Sequence, residues 1–242
     1  MKIVADLHTH TVASGHAYGT IWEMARRSSE LGLELVAITD HGPAMPGGTH
    51  RYYFGNLPIL PTVIEGVSLL RGVEANILDA EGTLDVPARY LANLDWVAAG
   101  LHSDCIEPGS VEENTAAVVA TIKSGLVDVI VHPGNPRFPI DHRVFVGAAS
   151  EAGVAIEINN ASLTLPHRRG SDGNCNIIAR LAAELGVAIS LGSDAHSPWQ
   201  LAVLDSAISL AKEAGVTENQ VLNTSTDKIR HFLSARRGQR NT

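Results

Sequence analysis

The sequence opens with a histidine-rich stretch whose spacing suits metal binding. Side chains of a strand alternate between two faces, so Asp6, His8 and His10 are predicted to point to the same side. Two imidazoles at one strand end can bind a single ion, and His16, in the Ser-Gly loop that follows, can fold back toward them. A lone His-x-His is also common among surface or hydrogen-bonded histidines, since imidazole has many uses. The metal interpretation therefore depends on ligands from elsewhere in the chain.

Such ligands recur at the ends of the other strand-like segments. Seven of the 11 histidines fall at these ends or in the loop after the first strand, namely His8, His10, His16, His41, His102, His132 and His196. Glu74 and Asp194 add carboxylates at two further ends. The remaining histidines are predicted to be ordinary loop or surface residues: His50, His142, His167 and His231. Active sites of α/β barrels lie where the carboxyl ends of the strands converge, so the pattern predicts a metal site there.

The elements that must position these residues alternate between strand and helix. The predicted strands are nearly continuous runs of Val, Ile, Leu and Ala, typical of parallel strands buried on both faces. They are Lys2–Leu7, Leu35–Thr39, Leu69–Ile77, Trp96–Leu101, Val127–Val131, Val154–Ile158 and Val187–Leu191. Helices are predicted from a capping box at Ser110–Glu113 to about Gly125, and over Asn176–Leu185, Asp205–Ala214 and Asp227–Arg237.

The alternation predicts one α/β domain over residues 1–242. No G-x-G-x-x-G follows the first strand, which disfavours an open dinucleotide-binding sheet. A distorted, seven-stranded TIM-like (βα)7 barrel is therefore expected.

Composition limits the partners. The formal net charge of −8 argues against broad attraction to nucleic acid or anionic membranes. Cys105 and Cys175 form no CxxC pair and are expected to be buried thiols in a reducing compartment. No segment is long and apolar enough to span a bilayer, and the first strand leaves no room for a cleavable signal before it. These features predict a cytoplasmic protein without a membrane partner.

The number of ligands and their charge point to a class of substrate. Nine nitrogen and oxygen ligands exceed what one or two tetrahedral ions use, whereas three ions fit if one carboxylate bridges two of them. Nitrogen-rich ligation without thiolate favours zinc, with iron or manganese as alternatives. Three divalent ions with two carboxylates leave a local charge of about +4, which suits a small phosphorylated substrate. Asn160, Arg168 and Arg169, after the sixth strand, are predicted to bind that substrate, Arg168 through a bidentate contact to phosphate.

The ordered motifs resemble the PHP (polymerase and histidinol phosphatase) superfamily, and in particular its YcdX-like phosphatase branch. They are DLHTHTVASGHAYGT (6–20), AITDHGP (37–43), RGVEANI (71–77), VHPGNP (131–136), EINNASL (157–163) and LGSDAH (191–196). The resemblance implies a trinuclear zinc centre that hydrolyses phosphate monoesters with a metal-activated hydroxide as nucleophile. Some members of the branch assemble as trimers, but no sequence feature here fixes a homo-oligomer.

By motif position, the resemblance also implies how the ligands divide among three ions. The first set is His8, His10, Glu74 and Asp194; the second is His16, His41 and His196; the third shares Glu74 and adds His102 and His132. Asp6 and Asp40, each close to a ligand, are candidates to orient imidazoles. Arg168 and Asp194 are the candidate catalytic residues, and either Asp194 or a metal-bound water is left as the proton donor.

Several other functions remain open. Histidinol phosphate is one alternative substrate, and a phosphodiesterase or exonuclease is another, although the chain lacks a groove of aromatic and basic residues. Amidohydrolases also begin with His-x-His, but many use a carboxylated lysine at a strand end. The only lysines here are Lys2, Lys123, Lys212 and Lys228, none of them at the predicted mouth. A metal-binding regulatory or storage module is the non-enzymatic alternative.

Overall fold

Parallel strands form a nearly closed barrel whose carboxyl ends all open to one side. The computed structural model describes residues 1–240, apart from the side chains of residues 167 and 238–240. Its strands are β1 (Ala5–Asp6), β2 (Leu35–Ile38), β3 (Val63–Ile64), β4 (Val67–Asn76), β5 (Trp96–Gly100), β6 (Val129–Ile130), β7 (Ala155–Asn159) and β8 (Ile189–Gly192). Seven of them pair in parallel in the order β1-β2-β4-β5-β6-β7-β8, which confirms the predicted barrel.

Helices connect successive strands around the outside. They are α1 (Ile21–Glu30), α2 (Arg51–Asn56), α3 (Ala88–Leu91), α4 (Val111–Lys123), α5 (His142–Ala152), α6 (Asn160–Thr164), α7 (Ser171–Leu185), α8 (Asp205–Glu213) and α9 (Thr226–Arg240). The capping box of α4 forms as predicted, with Ser110 and Glu113 bonded reciprocally. Within residues 1–240, none of these helices is both long and apolar enough to cross a membrane.

The structure differs from the sequence predictions at several element boundaries, and it contains one additional strand. β1 is shorter than Lys2–Leu7, because the N–H of Val4 donates to the carbonyl of Asn223 instead of to a strand. Helix α7 begins at Ser171 rather than Asn176, directly after a left-handed glycine. The antiparallel strand β3 was not predicted. It pairs with β4 across a turn in which Glu65 has a φ of 53°, a conformation that a glutamate rarely adopts.

Alternating side chains separate the core into an inner and an outer layer. Trp96 and Ala98 of β5 face inward and pack with Ile229 and Leu233 of α9. Val97 and its outward-facing counterparts on the other strands pack against the surrounding helices. Helix α9 thus covers the amino-terminal end of the barrel. Its Arg236 donates to the carbonyl oxygens of Val127 and Ala152, at 2.7 and 2.6 Å.

One asparagine joins the first and last strands across the seam of the barrel. Asn223 is fully buried; its side-chain oxygen accepts from the N–H of Leu191 at 2.7 Å. Its side-chain nitrogen donates to the carbonyls of Ala5 and Leu191, at 2.9 and 2.8 Å. At the mouth, the seam is closed by backbone bonds, from Asp194 N–H to the carbonyl of His8 and from His10 N–H to that of Ala195. Farther from the mouth, Asn223 therefore takes the place of the backbone hydrogen bonds that β1 and β8 do not make with each other.

The Asn223→Ala variant should lower the free energy of unfolding by about 3–5 kcal/mol, because it leaves several buried backbone groups without partners. The measurement is urea unfolding followed by circular dichroism. Asn93→Ala is the control, since Asn93 is exposed and its side-chain amide donates to the carbonyl of Arg89. A similar loss in both variants would show that Asn223 does not hold the seam.

Candidate metal centre

All nine predicted ligands lie together at the carboxyl ends of the strands. Eight of them lie at or just after strand ends, which converge on the barrel mouth. His16 reaches the same place from the first loop, whose Tyr18 N–H donates to the carbonyl of His196. The chain between residues 1 and 240 contains three groups of ligand atoms that lie within 4.8 Å of one another. These are His8, His10 and Asp194; His41, Glu74 and His102; and His10, His41 and His196.

Glu74 of β4 lies at the centre of the cluster and faces imidazoles on two sides. Its Oε1 lies 3.0 Å from Nε2 of His102 and 2.7 Å from Nε2 of His132. Its Oε2 lies 3.4 Å from Nε2 of both His8 and His10. One carboxylate therefore touches two separate pairs of imidazoles, as expected of a bridging ligand.

The first strand and the last strand supply one compact set of donors. The Nε2 atoms of His8 and His10 are 3.0 Å apart. Oδ1 of Asp194 lies 3.7 Å from the first and 3.2 Å from the second. With Oε2 of Glu74, these atoms form the set that the resemblance implies for one ion.

The remaining imidazoles lie toward the rim. The Nε2 atoms of His16 and His196 are 3.0 Å apart, and the rings of His16 and His41 stack with centroids 5.2 Å apart. Nδ1 of His41 also lies 2.8 Å from Oε2 of Glu74. His41 therefore lies between the rim histidines and the central carboxylate, and the division of ligands among ions stays a prediction.

Two buried polar atoms of the cluster lack a regular hydrogen bond, as expected of metal ligands. Oε2 of Glu74 and Nδ1 of His41 are buried and lie 2.8 Å apart, without the angles of a regular hydrogen bond to any partner. Leaving buried polar atoms unpaired costs free energy. Nitrogen atoms of His8, His10 and His41 converge on Oε2 of Glu74, and a divalent cation would satisfy these donors together. The residues present therefore fit divalent ions.

Charge compensation sets the pKa values on the floor of the site. Burial acts to raise the pKa of Glu74, but His41, His102 and His8 outweigh it and hold that pKa well below its ordinary value. Burial lowers the pKa of His102 to about 4, against the attraction of Glu74. At neutral pH, Glu74 is therefore a carboxylate and His102 a neutral imidazole, and these are the protonation states that bind metals.

Glu157 of β7 is a functional residue that the sequence interpretation did not assign. Its Oε1 lies 2.7 Å from Nδ1 of His8, which leaves Nε2 of that ring for the cluster. Its Oε2 accepts from the N–H of His132 at 2.8 Å. Gly192 lies so close that an added Cβ would overlap this carboxylate. The sequence signal was an isolated acid between the outward-facing Ile156 and Ile158.

Asp40 and Asp6 support the site in different ways. Asp40 accepts from the hydroxyl of Ser14 at 2.7 Å, and that hydroxyl lies 3.1 Å from Nδ1 of His10. The hydroxyl of Tyr53 also donates to Asp40, at 2.7 Å. Asp40 thus orients an imidazole through Ser14. Asp6 instead accepts from backbone N–H groups, including those of Ser193 and Ala202, so it fixes the chain rather than a ring.

Two of the predicted ligands have backbone conformations that are costly for residues other than glycine. His132 has a φ of 35° and Asp194 a φ of 57°. Such strain persists only where the surroundings fix the conformation. Here the N–H of His132 is held by Glu157, and that of Asp194 by the carbonyl of His8. The fold therefore bears a local cost that aims both side chains at the cluster.

A cavity of about 940 Å³ opens above the cluster, and two of the three predicted substrate-binding residues line it. Nη2 of Arg168 lies 3.5 Å from Oδ2 of Asp194, on the side away from His10. Asn160 is buried, and its side-chain oxygen accepts from the N–H of Ala207 at the start of α8. Arg169 is exposed and is not part of the described cavity lining, because the turn before α7 carries it past the mouth.

The outlying histidines agree with the prediction where they are described. His50 caps α2 by accepting from the N–H of Tyr52, and His142 is the first residue of α5. His231 is exposed on α9. The side chain of His167 lies outside the described residues.

The fold and its donor cluster are those of an α/β barrel with a candidate metal centre. The model of the PHP domain matches residues 6–136. A relative from Caldanaerobacter subterraneus subsp. tengcongensis, named a probable phosphatase, is 52% identical over 238 residues, which are 98% of this chain and 93% of the relative. The chain belongs to the PHP family.

Two further proteins extend the comparison. A probable phosphatase of Aliivibrio fischeri is 46% identical over 236 residues, covering 98% of this chain and 95% of the relative. The solved histidinol phosphate phosphatase of Lactococcus lactis, in complex with Zn, L-histidinol and phosphate, has a TM-score of 0.60 at 16% identity. The match covers 88% of this chain and 94% of that one, and it supports the barrel fold.

The Glu157→Gln variant is expected to weaken zinc binding about 10- to 100-fold, because an amide cannot accept from both His8 and the His132 N–H. Competition with a chromogenic chelator measures the affinity. Glu184→Gln, at an exposed position of α7, is the matched control. Unchanged affinity in Glu157→Gln would contradict the positioning role.

Proposed function

We propose that the chain hydrolyses small phosphate monoesters at a centre of three divalent ions, of which zinc is the expected metal. The observation that carries this proposal is the position of Glu74, one oxygen facing His102 and His132 and the other facing His8 and His10. The relatives named phosphatases support the reaction. The histidinol phosphate phosphatase with Zn and phosphate has a similar fold.

The proposed sets use all nine predicted ligands, and every ligand atom is nitrogen or oxygen, which suits zinc, iron or manganese. One ion takes His8, His10, Glu74 and Asp194; a second takes His16, His41 and His196; a third takes Glu74, His102 and His132. Bound divalent ions supply Lewis acidity and lower the pKa of a coordinated water. Imidazole donors leave a net positive charge on the floor, which favours a phosphate dianion over a neutral ester.

The protein's own groups then bind and orient the phosphate. Arg168 is held at the cavity wall by Oδ2 of Asp194, so its remaining donors can bind phosphoryl oxygens. The other oxygen of Asp194 faces His10. Asp194 thus ties the phosphate-binding arginine to the floor, and a shift of either group would move the other.

The decisive experiment combines elemental analysis of the purified protein with a screen of phosphate esters on the same sample. The screen includes p-nitrophenyl phosphate, histidinol phosphate, a phosphodiester and a short single-stranded oligonucleotide. We expect about three ions per chain and turnover of monoesters. Hydrolysis of only the diester or oligonucleotide would favour a nuclease, and full metal loading without any turnover would favour a metal-binding module.

Glu74→Gln should lose more than one ion per chain, because the amide removes both a charge and a donor oxygen from two ligand sets. Elemental analysis after dialysis measures the content. Glu184→Gln serves again as the control, and circular dichroism reports on folding. If Glu74→Gln keeps the full metal content, Glu74 does not bridge.

Arg168→Ala should lower kcat/KM about 10- to 100-fold through loss of a charge-assisted contact to phosphate, while metal content stays constant. Arg169→Ala is the comparison, since that neighbouring side chain is exposed outside the cavity lining, and we expect a change below about threefold. Steady-state kinetics measure both. Equal effects in the two variants would remove Arg168 from the site.

A further inference from the structure

The cavity above the metal cluster is larger than a phosphate group requires. Its volume of about 940 Å³ is at the upper end of pockets that enclose whole organic ligands. A five-atom phosphate on the floor would leave most of this space to the rest of the substrate. The residues that line the cavity above the metal cluster would therefore contact the alcohol part of the substrate.

The upper lining is mixed. Its polar members include Ser103, Asn135, Thr164 and Gln200, and its apolar members include Met45, Pro46, Leu165, Trp199 and Val203, which come from three separate loops. The apolar side chains offer no hydrogen-bond partner to a substrate hydroxyl, which would lose water against them without compensation. They favour contact with an apolar group of the substrate.

Trp199 is the most distinctive of these residues, because it lines the cavity and yet is 80% exposed. Its short helical turn is firmly held. The side-chain oxygen of Gln200 accepts from the N–H of His196 at 3.0 Å, and the N–H of Gln200 donates to the carbonyl of Ser197. Pro198 packs so closely on the first loop that a Cβ at Gly19 would come within 3.0 Å of it. The turn that carries the exposed indole is thus fixed, three residues from a predicted metal ligand.

The charges near this rim argue against a second anionic group on the substrate. Besides Arg168, the lining contains Arg137 and Asp104, one of each sign, and both are exposed. The charges of Arg137 and Asp104 compensate each other, so the rim has no net positive charge apart from that of Arg168, which is proposed to bind the phosphate. A neutral planar ring suits an exposed indole best, because aromatic pairs gain from stacking beyond the area that they bury.

We propose that the preferred substrate is a phosphate monoester whose leaving alcohol carries a neutral aromatic or heteroaromatic ring, and that this ring stacks on Trp199. The inference rests on the proposed phosphatase function and deepens it. Trp199 is then a specificity-determining residue: it binds the leaving group and takes no part in bond breaking.

The test compares 2-phenylethyl phosphate with n-propyl phosphate, since both are esters of primary alcohols of similar acidity and differ in the ring. In wild type, we expect kcat/KM to favour the phenylethyl ester by about three- to tenfold. Trp199→Ala should abolish this preference through KM, with propyl phosphate turned over within about twofold of wild type. Trp199→Phe should restore most of the preference. Tyr18→Ala is the matched control, because Tyr18 is 77% exposed and lies outside the described cavity lining.

A second readout does not depend on turnover. Calorimetry of zinc-loaded protein with 2-phenylethylphosphonate and n-propylphosphonate should show the same ring preference, lost in Trp199→Ala. Equal affinity for the two phosphonates in wild type, or an equal loss for both in Trp199→Ala, would overturn the role of Trp199. Ring-selective binding without hydrolysis of any ester would overturn the phosphatase function and leave the subsite standing.

Discussion

The structure depends on the burial of one carboxylate, that of Glu74, among imidazoles. A buried charge is costly unless opposite charge or strong hydrogen bonds compensate it. No single strand can provide that compensation, because a strand contributes only one or two side chains at its end. A barrel can, since its strand ends surround a common axis. The burial of Glu74 therefore depends on the arrangement of the strands, and removal of one imidazole takes away part of the compensation for its desolvation.

Barrel closure and site geometry depend on the same residues. The backbone bonds that join the first and last strands at the mouth involve His8, His10 and Asp194, whose side chains form one donor set. Opening the seam would separate these donors. Asn223, lower in the same seam, therefore supports the site without touching it. Stability and metal binding are coupled here through geometry, and bound ions would in turn hold the seam closed.

The sequence predicted the barrel and the gathering of nine ligands, because histidines and acids at the ends of apolar runs are chemically distinctive. It could not assign Glu157, since only the folded chain shows which imidazole lies against that acid. Asn223 was equally hidden: its partners are backbone atoms of Ala5 and Leu191, far away in the chain. Arg168 and Arg169 are adjacent and identical in type, so only the turn before α7 distinguishes the one in the cavity from the one outside it. The sequence pattern therefore predicts which residue types gather at the site, whereas only the folded structure shows which side chains contact each other.

The site divides by depth into two parts with different structural origins. The floor is built from strand ends, and its side chains are fixed by paired backbone, by Glu157 and by strained conformations at His132 and Asp194. The upper lining comes from loops, where Trp199 can be exchanged without disturbing a single strand pair. Metal binding and phosphate hydrolysis need the precision of the floor, while recognition of the alcohol needs only a surface of suitable shape. Substrate preference can therefore change within this fold by substitution in the loops, provided that the carboxylate at the centre stays enclosed.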